Sequence, residues 1–260
     1  MAGVYNPGMK SNSGTIRVGI GGWVFPPWRG AFYPAGLRQA EELSYASRHV
    51  TAIEINGTFY RTQTPASFQK WRDETPDGFV FSLKGPRYVT QRSGSLAETA
   101  PGIERFLGSG LTELGDKLGP LLWQFAPFKS FDATDFAAFL KLLPQEIGGR
   151  ALRHVVEVRH QSFRTPAFFD LLREHRVAVA IVDDEKHPAF DELTGDFAYL
   201  RLRRCVEEEP TGYPPATLDE WAAKARGWAA EGRDVFLYFI NGAKVRAPAA
   251  AQALIERLST

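Results

Sequence analysis

Eight short apolar segments recur along the chain, and most are followed by a stretch with helical periodicity. Each segment is rich in β-branched and aromatic residues and has the length of a buried strand. Strands that alternate with helices pair in parallel, and eight of them in one undivided chain favour a closed (β/α)8 TIM-like barrel over an open, doubly wound sheet. The predicted strands are Ile16–Ile20, Val50–Ile55, Phe79–Leu83, Leu118–Phe125, His154–Val158, Ala178–Val182, Phe197–Leu202 and Val235–Ile240.

The segments between these strands predict the helices of the barrel. Thr64 and Thr165 each precede a proline, a pair typical of a helix start because the hydroxyl can cap the first turn and proline fits its first position. Between the sixth and seventh strands only Pro188–Leu193 is weakly helical, so we expect a short or missing helix there. The other predicted helices are Gln39–Arg48, Pro65–Glu74, Pro101–Leu114, Asp132–Leu143, Thr165–His175, Thr217–Glu231 and Ala249–Leu258.

The first fifteen residues differ in composition from the rest of the chain. They are rich in Gly, Ser and Asn and lack the apolar run of a signal peptide, so we expect residues 1–15 to be a disordered leader and residues 16–260 to form one barrel domain. No apolar stretch is long enough to cross a membrane, and no membrane partner is expected. The single cysteine, Cys205, cannot form an internal disulfide and is expected to be an inert thiol in a cytoplasmic protein.

Charged residues lie at the ends of several predicted strands. In barrels of this class the active site is at the C-terminal ends of the strands, and residues two apart on a strand face the same side. This alternation predicts that six ionised side chains converge on one cavity: the carboxylates of Glu54, Glu157 and Asp183 and the cations of Lys84, Arg159 and Arg201. Because a buried ion is costly unless it is paired, two interpretations remain open. The residues could form a salt-bridge network that plugs the barrel, or a mixed-charge pocket for a polar ligand.

Three of these residues are candidates for catalysis. Glu54 and Glu157 could form a general acid/base pair, or each could be held ionised by an arginine. Lys84 could be a nucleophilic amine if it is desolvated, or a charge partner. Arg159 and Arg201 suit bidentate binding of a phosphate or carboxylate. The other predicted ligand-binding residues lie at further strand ends and in the adjoining loops, and they are Asn56, Asp183, Tyr238, Asn241, Trp23 and Tyr60.

No cofactor is evident in the sequence. The five histidines form no pair with the spacing of metal ligands. A carboxylate site for Mg²⁺ or Mn²⁺, made by Glu54, Glu157 and Asp183, is the one metal site that the pattern allows.

Several segments resemble the YecE-like family, a domain of unknown function, over about Ile16–Leu258. The most specific are Glu54–Tyr60, which reads Glu-x-Asn-x-x-Phe-Tyr, and Glu157–His160, which reads Glu-x-Arg-His. The resemblance implies a TIM barrel and supports these positions as a site, while the family has no settled activity. Relatives tend to have Arg-x-His-Gly after the seventh strand, where this chain has Arg201–Arg204. If that histidine takes part in chemistry, this chain acts differently or only binds.

The mixed-charge strand ends favour an enzyme that binds a small phosphate- or carboxylate-bearing molecule and uses carboxylate acid/base residues. One alternative is a metal-dependent phosphodiesterase or nuclease-like barrel, which rests on fold analogy. Another is a non-catalytic binder of a nucleotide or nucleic acid that uses the aromatic loops with Arg201, Arg203 and Arg204. Because Lys plus Arg is 31 and Asp plus Glu is 30, nucleic acid is the less favoured partner, and a small anionic or nucleotide-like ligand is expected. No residue pattern favours one reaction class or an oligomeric state.

Overall fold

The barrel strands occupy the predicted segments with small shifts at their ends. They are β1 (Ile16–Gly21), β2 (Ala52–Ile55), β3 (Val80–Lys84), β4 (Leu118–Gln124), β7 (His154–Glu157), β8 (Ala178–Asp183), β9 (Phe197–Leu202) and β10 (Asp234–Phe239). The computed structural model describes residues 13–259, and in it these strands form one closed parallel barrel in the order β1-β10-β9-β8-β7-β4-β3-β2. A separate antiparallel pair, Glu146–Ile147 (β5) and Arg150–Ala151 (β6), precedes β7. The predicted (β/α)8 fold is confirmed.

Helices and loops cover the outside of the barrel, and the connection without a helix is the one expected from the sequence. Residues 184–196, between β8 and β9, contain no helix. The helix predicted over Pro101–Leu114 ends at Leu107, because Gly110 takes a left-handed φ of 95° and the chain continues as a 3-10 turn. The helices are α1 (Glu42–Ala46), α2 (Gly57–Tyr60), α3 (Pro65–Asp73), α4 (Arg87–Thr90), α5 (Ala100–Leu107), α6 (Ala133–Lys141), α7 (Pro166–Glu174), α8 (Pro215–Ala230) and α9 (Ala247–Ser259).

Two helix starts show how the sequence sets their position. The Thr64 hydroxyl accepts a hydrogen bond from the Ser67 backbone N–H at 3.3 Å, and Asp132 caps α6 in the same way at 2.8 Å. Thr165 makes no such side-chain bond, although Pro166 occupies the first turn of α7 as predicted. Proline therefore marks the start of α7 without a hydroxyl cap.

Apolar side chains divide into a large layer between strands and helices and a smaller cluster inside the barrel. The division follows the alternation of each strand, so that Ala178, Ala180 and Val182 of β8 face the lumen while Val179 and Ile181 pack outward. At the C-terminal ends of several strands the lumen positions change from apolar to charged. The fold therefore places ionised groups at this mouth of the barrel.

The N-terminal end of the described chain runs along the opposite mouth. Gly14 donates a backbone hydrogen bond to Ala229, and the Thr15 N–H donates to Asp234 Oδ1, both at 2.8 Å. Residues 1–12 of the predicted leader lie outside the described residues. Among residues 13–259, no helix has the length and apolar character needed to cross a bilayer.

Candidate functional site

Arg201 joins two carboxylates across the lumen of the barrel. Its Nε and Nη2 donate to the two oxygens of Glu54, each at 2.9 Å, and its Nη1 donates to Glu157 Oε2. Because β2 and β7 are both separated from β9 in the barrel order, these bonds cross the interior rather than run along a strand edge. Glu54, Glu157 and Arg201 are 0%, 1% and 4% exposed. We refer to these three residues as the inner layer.

Neighbouring polar groups complete the inner layer. Tyr199 donates its hydroxyl to Glu54 Oε2 at 2.8 Å, and Gln124 donates its amide to Glu157 Oε1 at 3.0 Å. Burial alone would raise the pKa of Glu157, but the guanidinium groups of Arg201 and Arg159 hold that pKa well below its ordinary value. Glu157 is therefore ionised at neutral pH. Of the two roles that the sequence left open, the geometry supports the carboxylate held by arginine over the general acid.

Lys84 is the last residue of β3, and its side chain lies nearer the mouth of the barrel than the inner layer. Its Nζ lies 4.0 Å from the centroid of the Phe59 ring, and the residue is only 7% exposed. No hydrogen bond or ion pair joins this amine to any residue in the described part of the chain. Burial and the nearby charge of Arg201 lower the pKa of Lys84 to about 8. An appreciable fraction of this lysine is therefore an unprotonated amine near neutral pH.

Two arginines share the level of Lys84, and we refer to these three cations as the outer layer. Arg159 donates Nε to Glu157 Oε1 at 2.8 Å and forms no other hydrogen bond within residues 13–259. Arg203 donates Nη1 to Asp184 at 2.6 Å, and the Asn241 amide oxygen can accept from its Nη2 at 2.8 Å. The two layers together with Asp184 contain four cations against three carboxylates. This mouth of the barrel therefore has an excess of positive charge.

The predicted position of Asp183 requires correction. Its carboxylate accepts from the Tyr213 hydroxyl at 3.1 Å and lies 3.5 Å from Arg204, outside the barrel. The reason is that β8 keeps its alternation to the end, so Val182 faces the lumen and Asp183 faces outward. Asp184 occupies the inward place instead. The carboxylate trio of Glu54, Glu157 and Asp183 is therefore not assembled, and the metal-dependent alternative gains no ligands from it.

The remaining predicted residues lie around the same mouth in different settings. Tyr238 is inside the barrel, tilted against Tyr199 at 5.3 Å, and its buried hydroxyl has no hydrogen-bond partner among the described residues. Trp23 packs edge-to-face on Trp71 at 5.4 Å. Tyr60 is 69% exposed. Trp23 and Asn56 line a cavity of about 290 Å³ at the ends of β1 and β2, together with Gln63, Trp71 and Lys244. Ring stacking by Trp23 is thus limited to the face that borders this cavity.

Two groups of this site were missed as site members from the sequence. Tyr199 lies two residues before Arg201, and Asp184 lies two residues after Val182. The alternation that identified Arg201 would have identified both, had it been followed one position further along each strand.

Metal and thiol chemistry gain no support from the described side chains. Within residues 13–259, no three or more His, Cys, Asp or Glu side chains gather where they could hold a metal ion. Burial and the nearby Asp183 raise the pKa of the Cys205 thiol to about 12, so the thiol is protonated at neutral pH.

Known proteins share both the sequence pattern and the fold. The UPF0759 protein YecE of Escherichia coli (strain K12) is 30% identical over 149 residues, which cover 57% of this chain and 50% of YecE. The chain thus spans about half the length of the curated relatives that it matches. A DUF72 family protein of Thermotoga maritima superposes with a TM-score of 0.70 at 22% identity, over 94% of this chain and 99% of that one.

A DUF72 family protein of Enterococcus faecalis superposes with a TM-score of 0.74 at 16% identity, over 95% of this chain and 96% of that one. At such identities these structures show a common fold. The family described as "Protein of unknown function DUF72" matches residues 17–260, which include every residue of the inner and outer layers. The chain belongs to this DUF72 family.

Proposed function

We propose that this protein is an enzyme that binds a small phosphate- or carboxylate-bearing molecule at the C-terminal mouth of its barrel. One observation carries the proposal: the outer layer contains cationic donors that no described protein group accepts. These donors are the Lys84 amine and the Nη groups of Arg159. Below them, every nitrogen of Arg201 is already bonded to a carboxylate.

An anionic group would complete this arrangement. Arginine Nη groups bind phosphate and carboxylate oxygens in a planar, bidentate geometry, and a lysine adds a point charge beside them. The excess of positive charge favours an anion, and the low exposure of the surrounding residues strengthens the attraction. The exposed ring of Tyr60 and the cavity bordered by Trp23 and Asn56 lie at the same mouth, where they offer contacts to the rest of the molecule.

The proposal changes two roles predicted from the sequence. Arg201 positions Glu54 and Glu157 instead of binding the ligand, because its donors are occupied. Glu157 supplies fixed negative charge instead of a proton. Lys84 is then the group in the two layers that can gain and lose a proton near neutral pH.

The test compares two arginine variants against a panel of phosphorylated and carboxylated metabolites. Arg159→Gln removes the proposed anion donor, and we expect ligand affinity and turnover to fall by about 10- to 100-fold, as for loss of one charge-assisted contact. Arg153→Gln is the control, because Arg153 pairs with Asp234 at the opposite mouth of the barrel, at 2.7 Å. Equal binding of inorganic phosphate and of the panel by wild type and Arg159→Gln would contradict the proposal.

A further inference from the structure

We infer that Lys84 is a nucleophile that forms an imine with the carbonyl carbon of an anionic aldehyde or ketone, such as a 2-oxo acid. The inference rests on the proposed function, because Arg159 would hold the anionic group of that molecule. It adds the substrate class and the covalent step. The geometry points to it because the Lys84 amine is buried, has no acceptor in the described protein, and lies beside a cationic cluster.

The surroundings of Lys84 keep its amine available for attack. An ion pair or a hydrogen bond to an acceptor stabilises the protonated ammonium, whereas this amine has no such partner and contacts the face of Phe59 at 4.0 Å. Thr58 donates its hydroxyl to the Lys84 carbonyl oxygen at 2.7 Å and so fixes the backbone from which the side chain projects. With a pKa of about 8, the fraction of free amine at pH 7 exceeds that of an ordinary exposed lysine on the order of 100-fold.

Lys117 shows the opposite arrangement in the same barrel. Its Nζ donates to the carbonyl oxygens of Arg72 and Thr75, each at 2.6 Å, and to the Thr75 hydroxyl at 3.2 Å. All three protons of that ammonium are engaged, so this lysine is structural. The difference between the two lysines lies in their partners, since both are largely covered by protein.

The covalent step balances without any other reactant. The ammonium of Lys84 first releases a proton, and the free amine adds to the carbonyl carbon: a C–N bond forms, the carbon–oxygen π bond breaks, and a proton passes from the nitrogen to the oxygen. The hydroxyl then takes up the proton released at the start and leaves as water with cleavage of the C–O bond, which gives a protonated imine. Overall, one ammonium and one carbonyl compound give one iminium ion and one water molecule. The charge at Lys84 stays +1, so the balance with Glu54 and Glu157 is unchanged, and the Phe59 ring faces a cation before and after the reaction.

Reductive trapping tests the inference. The full-length protein is incubated with glyoxylate and sodium cyanoborohydride, and the modified lysine is located by peptide mass spectrometry. We expect the label at Lys84 in wild type and its loss in Lys84→Met. The matched control is Lys224→Met, because Lys224 also lies over an aromatic ring, at 5.1 Å from the Trp221 centroid, but pairs with Asp191 outside the proposed site. This variant should retain the label at Lys84.

Three outcomes separate this inference from the proposed function. Wild type that stays unlabelled at Lys84, or is labelled equally at Lys84 and Lys224, overturns the imine. If phosphate binding still depends on Arg159 in that case, the anion site stands without it. If Lys84 is labelled equally fast by glyoxylate and by neutral acetaldehyde, and Arg159→Gln changes neither rate, the imine stands and the anion site fails. Thermal unfolding of each variant confirms that it is folded.

Discussion

The two mouths of the barrel differ in what their charged side chains contact. The N-terminal mouth has the larger cavity, about 660 Å³, but two of the three cations that line it are bonded to protein: Lys117 to three acceptors and Arg72 to Asp73 at 2.8 Å. At the C-terminal mouth the inner layer fills the lumen, and Lys84 and Arg159 keep donors free above it. Unpartnered donors, and not the volume of a cavity, therefore distinguish the mouth suited to a ligand.

Arg17 qualifies this contrast. Its Nε is a buried atom at the N-terminal mouth and has no acceptor in the described protein. The other described cations that line that cavity are paired, so Arg17 has no second free cation beside it. A single guanidinium of this kind gives no cluster comparable with the outer layer.

The largest expected effect comes from removing the centre of the inner layer. Arg201→Met leaves Glu54 and Glu157 buried without their shared cation, and we expect a loss of about 3–5 kcal/mol in the free energy of unfolding. Arg153→Met removes a partly exposed pair at the N-terminal mouth and should cost less than about 1 kcal/mol. Denaturant unfolding measures both. Equal losses would show that the two mouths are energetically alike.

A smaller loss is expected for Glu157→Gln, about 3 kcal/mol at pH 7. Because the folded-state pKa of Glu157 is lowered, its ionised form contributes stability above the ordinary value of 4.5, and this contribution is lost as pH falls below that value. The difference in the free energy of unfolding between wild type and Glu157→Gln should therefore become smaller in acid. Asp234→Asn at the other mouth is the control. If the difference in the free energy of unfolding between wild type and Glu157→Gln does not change with pH, Glu157 is not the ionised carboxylate described above.

Replacing a lysine with methionine at the two mouths should change the free energy of unfolding in opposite directions. Lys117→Met leaves three acceptors without their donor and is expected to destabilise the folded protein by about 1–3 kcal/mol. Lys84→Met removes a buried charge that has no ion-pair partner, and should stabilise by about 1–3 kcal/mol at pH 7. The unfolded chain binds more protons at Lys84 between its folded pKa of about 8 and the ordinary 10.5, so wild-type stability should rise through this window. A pH series of unfolding curves checks whether Lys84→Met lacks that rise.

The smallest effect concerns Asp183, which ends β8, and Asp184, which follows it. Asp184→Asn releases Arg203 from its partner, and we expect anion affinity at the C-terminal mouth to rise by about two- to fivefold. Asp183→Asn should leave that affinity unchanged, because Asp183 faces outward. Calorimetric titration with inorganic phosphate measures both variants, and a larger change for Asp183→Asn would refute the orientation of β8.

The fold and most of the inner layer follow from patterns that are local in the sequence. Alternation within a strand was sufficient to predict that Glu54, Glu157 and Arg201 converge, because barrel closure then brings their strands together. The same rule would have excluded Asp183, whose neighbour Val182 is the lumen residue. Other properties depend on distances across the lumen: that Arg201 engages both carboxylates, and that Lys84 engages neither. No spacing in one strand encodes which of two cations a carboxylate will contact.

The bonds of Arg201 have a consequence for how the molecule could be divided. Arg201 is 147 residues from Glu54 and 44 from Glu157, and the strands β1–β4 supply Glu54 and Lys84 while β7–β10 supply Glu157 and Arg201. A cut in the chain between β4 and β7 would leave Glu54 in one half without the guanidinium that it binds, while Arg201 in the other half would keep Glu157 and lose Glu54. Reassociation of the halves would restore the cross-lumen bonds, and ligand binding would then report on fragment complementation.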